Sequence, residues 1–141
     1  MALKRGETMT ANERFDTMET RIAYRDIDLL GQMHNAAYLT LAEQALVAFW
    51  SHRPAVEGEP AFTMKRMECS FHKPLRYDDP ASLRVEVDKI GMQTVGFAVK
   101  IEREGQLAAR VEIVWMAYDR EKGEEVALPE RLRDWLYDFL P

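Results

Sequence analysis

One cysteine in 141 residues, Cys69, leaves no partner for an intrachain disulfide, and no grouping of Cys and His has the spacing of a zinc site. No metal and no cofactor are expected, and the thiol usage suits a reducing, cytoplasmic compartment. The chain lacks any run of about 18 uninterrupted apolar residues, so no membrane-spanning helix is expected. Its first residues, Met1 to Arg14, are polar and mixed in charge and lack the apolar core of a secretory signal. Positive charge is not concentrated anywhere and the net charge is −5, which argues against nucleic acid as the main partner while leaving room for a local cationic patch. Internal repeats and low-complexity tracts are also missing.

What is present fits one soluble globular domain: 47% apolar and 30% charged residues in a length that buries a core but is short for two domains. Residues 1–16 are expected to be a disordered tail and 17–141 the single domain. Thr20 to Tyr24 reads as a short strand leading into a loop, Asp26 to His34. Asn35 to Trp50 then carries one charge, Glu43, and is apolar nearly all round a 3.6-residue wheel, the pattern of a buried helix. It would span roughly 25 Å; Ser51-His52-Arg53-Pro54 ends it.

Beyond a Gly58/Pro60 linker the period changes to two. Leu83, Val85 and Val87 alternate with Arg84, Glu86 and Asp88, and Val95, Phe97, Val99 and Ile101 alternate with more polar or small neighbours. Turn signals at Tyr77-Asp78-Asp79-Pro80 and Glu104-Gly105 suggest that neighbouring strands are joined as hairpins. Leu107 to Tyr118 ends in an apolar run that predicts a strand covered on both faces. Pro129 opens an amphipathic helix with Leu132, Trp135, Leu136, Phe139 and Leu140 on one stripe. The expected class is α+β: a long central helix wrapped by an antiparallel sheet of about five strands, with a short C-terminal helix packed outside. One sheet covers only part of an all-round apolar helix, so a homodimer or dimer of dimers is expected.

The segment Asp26-Ile-Asp28-Leu-Leu-Gly31-Gln-Met-His-Asn35 sets two carboxylates and a glycine directly before that helix. A helix start offers unpaired N–H groups and a partial positive charge, which together hold an anion or stabilise an oxyanion. A carboxylate brought against that pole is an attacking or base group facing an oxyanion hole, the outline of a hydrolytic site. The plainer alternative for Asp28 is a loop aspartate that binds backbone amides or caps the helix. Two residues apart on an extended loop, Asp26 and Asp28 point in opposite directions, and Asp26 is expected to hold the loop. Gly31 supplies either a special backbone conformation or a close approach to substrate.

Tyr24 through Tyr38 resembles the opening motif of hot-dog-fold acyl-CoA thioesterases of the 4-hydroxybenzoyl-CoA type: aromatic, any residue, Asp, any residue, Asp, two residues, Gly, usually His, then Asn or His and a Tyr. Ser70-Phe71-His72-Lys73-Pro74 with Asp78-Asp79, Glu104-Gly105, and Val126-Ala127-Leu128-Pro129 are similar in order to the family's later strand end, hairpin and closing helix, so that the likeness covers about Met18 to Leu136. The resemblance implies hydrolysis of an acyl-CoA substrate. Asp28 would be the catalytic carboxylate, attacking to form a mixed anhydride or acting as general base for water. The backbone N–H in the neighbourhood of Asn35 would be the oxyanion donor, with Gly31, His34 and Tyr38 touching substrate. Gln32 departs from the family, where many relatives carry His, and implies an altered pocket or loop.

The remaining candidates have ordinary readings beside the functional ones. Tyr38 touches the acyl group or packs in the core. Glu43, more than two turns from Asn35, is expected in a structural salt bridge. His52 and His72 are expected at the surface or on a strand, and Cys69 in strand packing, since nothing near it in sequence would activate a thiol. Met33 and Met64 could line an adaptable acyl pocket, and Lys73, Arg76 and Lys65 could form a cationic rim for the phosphates of coenzyme A. The competing functions are a non-catalytic acyl-CoA or acyl-carrier binding module and, last, a dehydratase, for which Asp28 and His34 are a poor fit.

Overall fold

The computed structural model describes residues 16–141. The expected tail lies outside the described residues except for Asp16, whose backbone carbonyl accepts the Val85 N–H at 2.7 Å. The first strand, β1, is Thr17–Arg21, earlier than the Thr20–Tyr24 expected, and a single 3₁₀ turn, Tyr24–Asp26, follows it. Next come the central helix α1, Asn35–Trp50, then β2, Ala61–Phe71; β3, Pro80–Ile90; β4, Thr94–Arg103; β5, Gln106–Tyr118; and the last helix α2, Glu130–Tyr137.

The five strands form one antiparallel sheet in the order β1-β3-β4-β5-β2. The alternation read from β3 and β4 is realised: Leu83, Val85, Val87, Val95, Phe97, Val99 and Ile101 are all buried in the core. Glu104 and Gly105 join β4 to β5 with φ of 50° and 78°, both positive as a type I′ hairpin requires. The other turn signal behaves differently. Tyr77–Pro80 does not close a hairpin, because β2 pairs with β5 at one edge while β3 lies beside β1 at the other. Residues 72–79 therefore cross the end of the sheet, and the crossing is anchored by Leu75, which is 1% exposed. Its carbonyl accepts the Met33 N–H at 2.7 Å and its N–H donates to the Tyr38 hydroxyl oxygen at 3.1 Å.

Helix α1 lies on the sheet through Ala37, Tyr38, Ala42, Ala45, Leu46 and Phe49. Three alanines on that face let the helix approach closely, and Phe49, with no exposed area, meets the rings of Phe97, Trp135 and Phe139 at 6.2, 5.0 and 4.9 Å. Burying one such ring contributes about 1.5–3 kcal/mol. As expected of an apolar helix that one sheet covers only in part, its outer face is exposed in the single chain: Ala36, Thr40, Glu43, Gln44, Val47 and Ala48. The reason is geometric, since one sheet reaches one side of a cylinder. Helix α2 buries the stripe its sequence marks: Leu132 and Leu136 have no exposed area and Trp135 packs on Phe49 beside the end of α1, while Arg131, Asp134 and Tyr137 face outward. Pro129 occupies its N-cap rather than its first turn. The end of β5 is half-covered: only Ala117 among residues 114–118 is fully buried.

Candidate active site

The loop before α1 is a small closed unit. Asp28 N–H donates to the Gln32 carbonyl at 2.8 Å, Gly31 N–H to the Asp28 carbonyl at 3.1 Å, and Ile27 bridges Met33. Asp28 itself is exposed to an intermediate degree, and its Oδ1 accepts the Leu30 and Gln32 N–H groups at 2.8 and 3.2 Å. Its carboxylate is thereby oriented by two backbone donors, the arrangement its short side chain favours in turns. Gly31 has φ +76°, and a Cβ built there would meet nothing within 4 Å. Within the chain its left-handed φ, not crowding by other residues, is what favours glycine.

Asp26 and His34 knit the other side of the loop. The Asp26 carbonyl accepts the His34 N–H at 2.9 Å, and His34 Nε2 stands 3.9 Å from Asp26 Oδ1. His34 is the N-cap of α1 but makes no side-chain cap bond; the Ala37 N–H donates to its carbonyl at 3.0 Å, and the Asn35 and Ala36 N–H groups are left without a side-chain cap. Those amides start at Asn35, and Asn35 borders a cleft of about 320 Å³. Gln32, Met33, Tyr38, Phe71, His72, Lys73 and Pro74 complete its lining. Met33 and Tyr38 are buried, and Phe71 stands edge-on to Tyr38 at 5.2 Å between ring centres.

Of the residues singled out from sequence, Gln32, Met33, Asn35, Tyr38, His72 and Lys73 meet at this cleft; Asp28 and His34 stand beside it in the loop and do not line it. Tyr38 spends its hydroxyl oxygen on the crossing segment. Burial pushes the Tyr38 phenol above its usual range, the Leu75 amide works against that rise, and Cys69, Asp28 and Asp79 add to it through their charges. Burial likewise raises the Cys69 thiol, in keeping with strand packing. Glu43 is exposed and makes no ion pair among the described residues, so the expected salt bridge is not formed; its position on the outer face of α1 points away from the sheet's charges. Met64 is 43% exposed on β2 and Lys65 sits in the register shift between Met64 and Arg66, and neither reaches the cleft. Arg76 is exposed in the crossing turn, its N–H donating to Asp79 Oδ2 at 2.8 Å.

Phe71 and Pro74 are the wall residues that sequence reasoning passed over. Both sit where β2 runs into the crossing, and the His72 and Lys73 N–H groups turn back onto the Ala108 carbonyl at 2.8 and 3.0 Å. The signal that could have found them is Ser70-Phe71-His72-Lys73-Pro74, an apolar strand end followed by two basic side chains and a proline.

A five-stranded antiparallel sheet with a long helix laid on it and a short closing helix defines the hot-dog fold. Solved structures agree: a thioesterase complexed with coenzyme A and Zn from Thermus thermophilus superposes with a TM-score of 0.77 at 23% identity, covering 87% of this chain and 92% of its own. Slr0204 from Synechocystis, a 1,4-dihydroxy-2-naphthoyl-CoA thioesterase, does so at 0.75 and 16% identity, over 86% and 95%. The chain belongs to the thioesterase-like superfamily, whose family description matches residues 22–136. Among curated proteins it is similar to the acyl-CoA thioester hydrolase YbgC of Escherichia coli O6:H1, 25% identical over 118 residues, covering 79% of this chain and 88% of the relative.

Proposed function

We propose that this protein hydrolyses acyl-CoA thioesters to the free acid and coenzyme A. The observation that carries the reading is the cleft at the uncapped start of α1, with Asn35 in its lining, apolar walls at Met33, Tyr38 and Phe71, and Lys73 at its rim. A thioester carbonyl directed at the Asn35 amide has its developing negative charge met by an N–H dipole and by the positive pole of a 16-residue helix. Asp28, held by two amides, is the carboxylate that attacks the carbonyl carbon or takes the proton from water. Attack by Asp28 expels the coenzyme A thiolate and leaves a mixed anhydride that water then opens; base catalysis reaches the same products in one addition. Gly31 shapes the loop, Tyr38 and His34 flank the acyl group, and Lys73 with His72 faces the phosphates of the leaving coenzyme.

The exposed Leu29 and Leu30 of the loop and the outer face of α1 are the surfaces that a second copy covers in a homodimer or dimer of dimers. None of the helices among the described residues is long and apolar enough to cross a membrane, and we assign the enzyme to the cytoplasm. The test is a panel of short, medium, long and aromatic acyl-CoAs with detection of released thiol; absence of release from every class ends the proposal. A second reading is favoured by one observation: Asp28 Oδ1 is already occupied by Leu30 and Gln32, as in a residue that only holds a loop. A non-catalytic acyl-CoA or acyl-carrier binding module would then be stabilised against heat by acyl-CoA without turning it over.

A further inference from the structure

The opposite end of α1 carries a second concavity that the proposed reaction does not use. Trp50, the last residue of α1, meets Phe62 of β2 at 5.1 Å between ring centres and 79°, and Trp115 of β5 at 5.2 Å and 84°; Phe62 and Trp115 are 5.8 Å apart. These half-buried rings line a cleft of about 370 Å³ whose charged residues are Arg53, Glu59 and Arg120. Arg53 and Glu59 cancel: the guanidinium grips the carboxylate through Nε and, at 3.1 Å, Nη2, and lies 5.2 Å over the Trp50 ring. Arg120 is exposed, and its guanidinium makes no ion pair or hydrogen bond among the described residues.

The negative pole of α1 does not offset that charge. Carbonyls of its last turn are taken by the N–H groups of Ser51, His52 and Arg53, and Arg53 Nη1 also donates to the Trp50 carbonyl at 3.1 Å. The uncompensated charge in the aromatic cleft is therefore positive. A wider cleft of about 660 Å³ adjoins it, sharing Glu59, Pro60, Ala61 and Arg120; the acidic side chains of Asp119 and Glu121 line that neighbour and not the aromatic cleft, and Asp119 Oδ1 accepts the Glu121 and Lys122 N–H groups at 2.9 and 3.0 Å.

We propose that this cleft binds a planar aromatic carboxylate, its ring against Trp50 and Trp115 and its carboxylate on Arg120. Aromatic walls favour offset or edge contacts with a flat ring, a volume of a few hundred Å³ suits a small ligand, and a free guanidinium matches a carboxylate in a two-pronged hydrogen bond. An aliphatic acid offers the charge without the ring, and an aromatic amide the ring without the charge. The 16 residues of α1 separate this site from Asn35 by about 24 Å, so the inference is independent of the catalytic reading.

The experiment is calorimetric titration of the intact protein with trans-cinnamate, cinnamamide and hexanoate. Saturable binding of one cinnamate per chain is expected, about tenfold or more tighter than either comparison ligand. Arg120→Gln and Trp115→Leu should each weaken cinnamate about tenfold or more, whereas Asp28→Asn should leave it unchanged. Melting curves check that each variant is folded; the exposed Arg120 makes Arg120→Gln the variant that keeps the test decisive if Trp115→Leu unfolds. No saturable heat, equal binding by Arg120→Gln, or loss of binding in Asp28→Asn would overturn the proposal, the last by moving the ligand to the helix-start cleft.

Discussion

Replacing Asp28 separates what its carboxylate holds from what its charge does. Asp28→Asn keeps a side-chain oxygen where Oδ1 accepts the Leu30 and Gln32 amides at 2.8 and 3.2 Å, so the loop should survive. Stability should then stay within about 0.5 kcal/mol of the parent, as for surface changes that preserve their bonds. Asp28→Ala removes the acceptor of both amides. By analogy with loss of a helix cap, that costs about 1–2 kcal/mol, which lowers the melting temperature by about 3–8 °C in a domain of this size. The chemical loss should follow the opposite logic. An amide neither attacks a thioester nor accepts water's proton, so Asp28→Asn should lower kcat/KM by about 10²–10⁴, or roughly 3–5 kcal/mol of transition-state stabilisation at about 1.36 kcal/mol per decade. The assay is thiol release on whichever acyl-CoA the panel ranks first, run beside thermal melts of the same preparations. If Asp28→Asn turns over at the parental rate while Asp28→Ala is merely less stable, Asp28 is a loop residue and the catalytic assignment is wrong.

Tyr38→Phe strips the buried Leu75 N–H of its acceptor and should cost about 1–3 kcal/mol, read as a lower midpoint in urea. Because burial raises the Tyr38 phenol above 10.0, the native state holds that proton after the unfolded chain has released it; stability is fully present below pH 10 and falls as pH rises beyond it, a loss that a pH series of melts should find reduced in Tyr38→Phe. At Gly31 the left-handed φ, not space, is the constraint, so Gly31→Ala should destabilise by about 1–2 kcal/mol and Gly31→Asn by less. The raised Cys69 thiol should react with a disulfide reagent at pH 8 more slowly than free glutathione does, and an equal rate would contradict its burial.

The legibility of the chain varied with the range of the interaction involved. The period-two runs of β3 and β4 and the hairpin turn at Glu104-Gly105 were readable because their cause is local: side chains alternate across a pleat, and glycine tolerates positive φ. The start of α1 at Asn35 was readable too, from the glycine-bearing loop that precedes an apolar helical run. The Tyr77–Pro80 turn misled, because a turn signal states that the chain bends and not which strand it bends towards. Which side of α1 meets the sheet also had to come from the fold, since composition measures how apolar a helix is and not which of its faces is covered. At the site, the loop carrying Asp28 was visible in sequence, while the Phe71 to Pro74 wall depends on residues far along the chain from that loop.

By itself the sequence determined the elements and the chemical groups: an apolar helix starting at Asn35, a carboxylate in the loop before it, and strands with one apolar face. Only the tertiary structure decided that β2 crosses to the far edge, that Leu75 ties the crossing to Met33 and Tyr38, and that Trp50, Phe62 and Trp115 meet at the other end of the helix. Local preferences act over a few residues, whereas these contacts form only when the buried area and hydrogen bonds of the whole fold outweigh the entropy of bringing distant segments together.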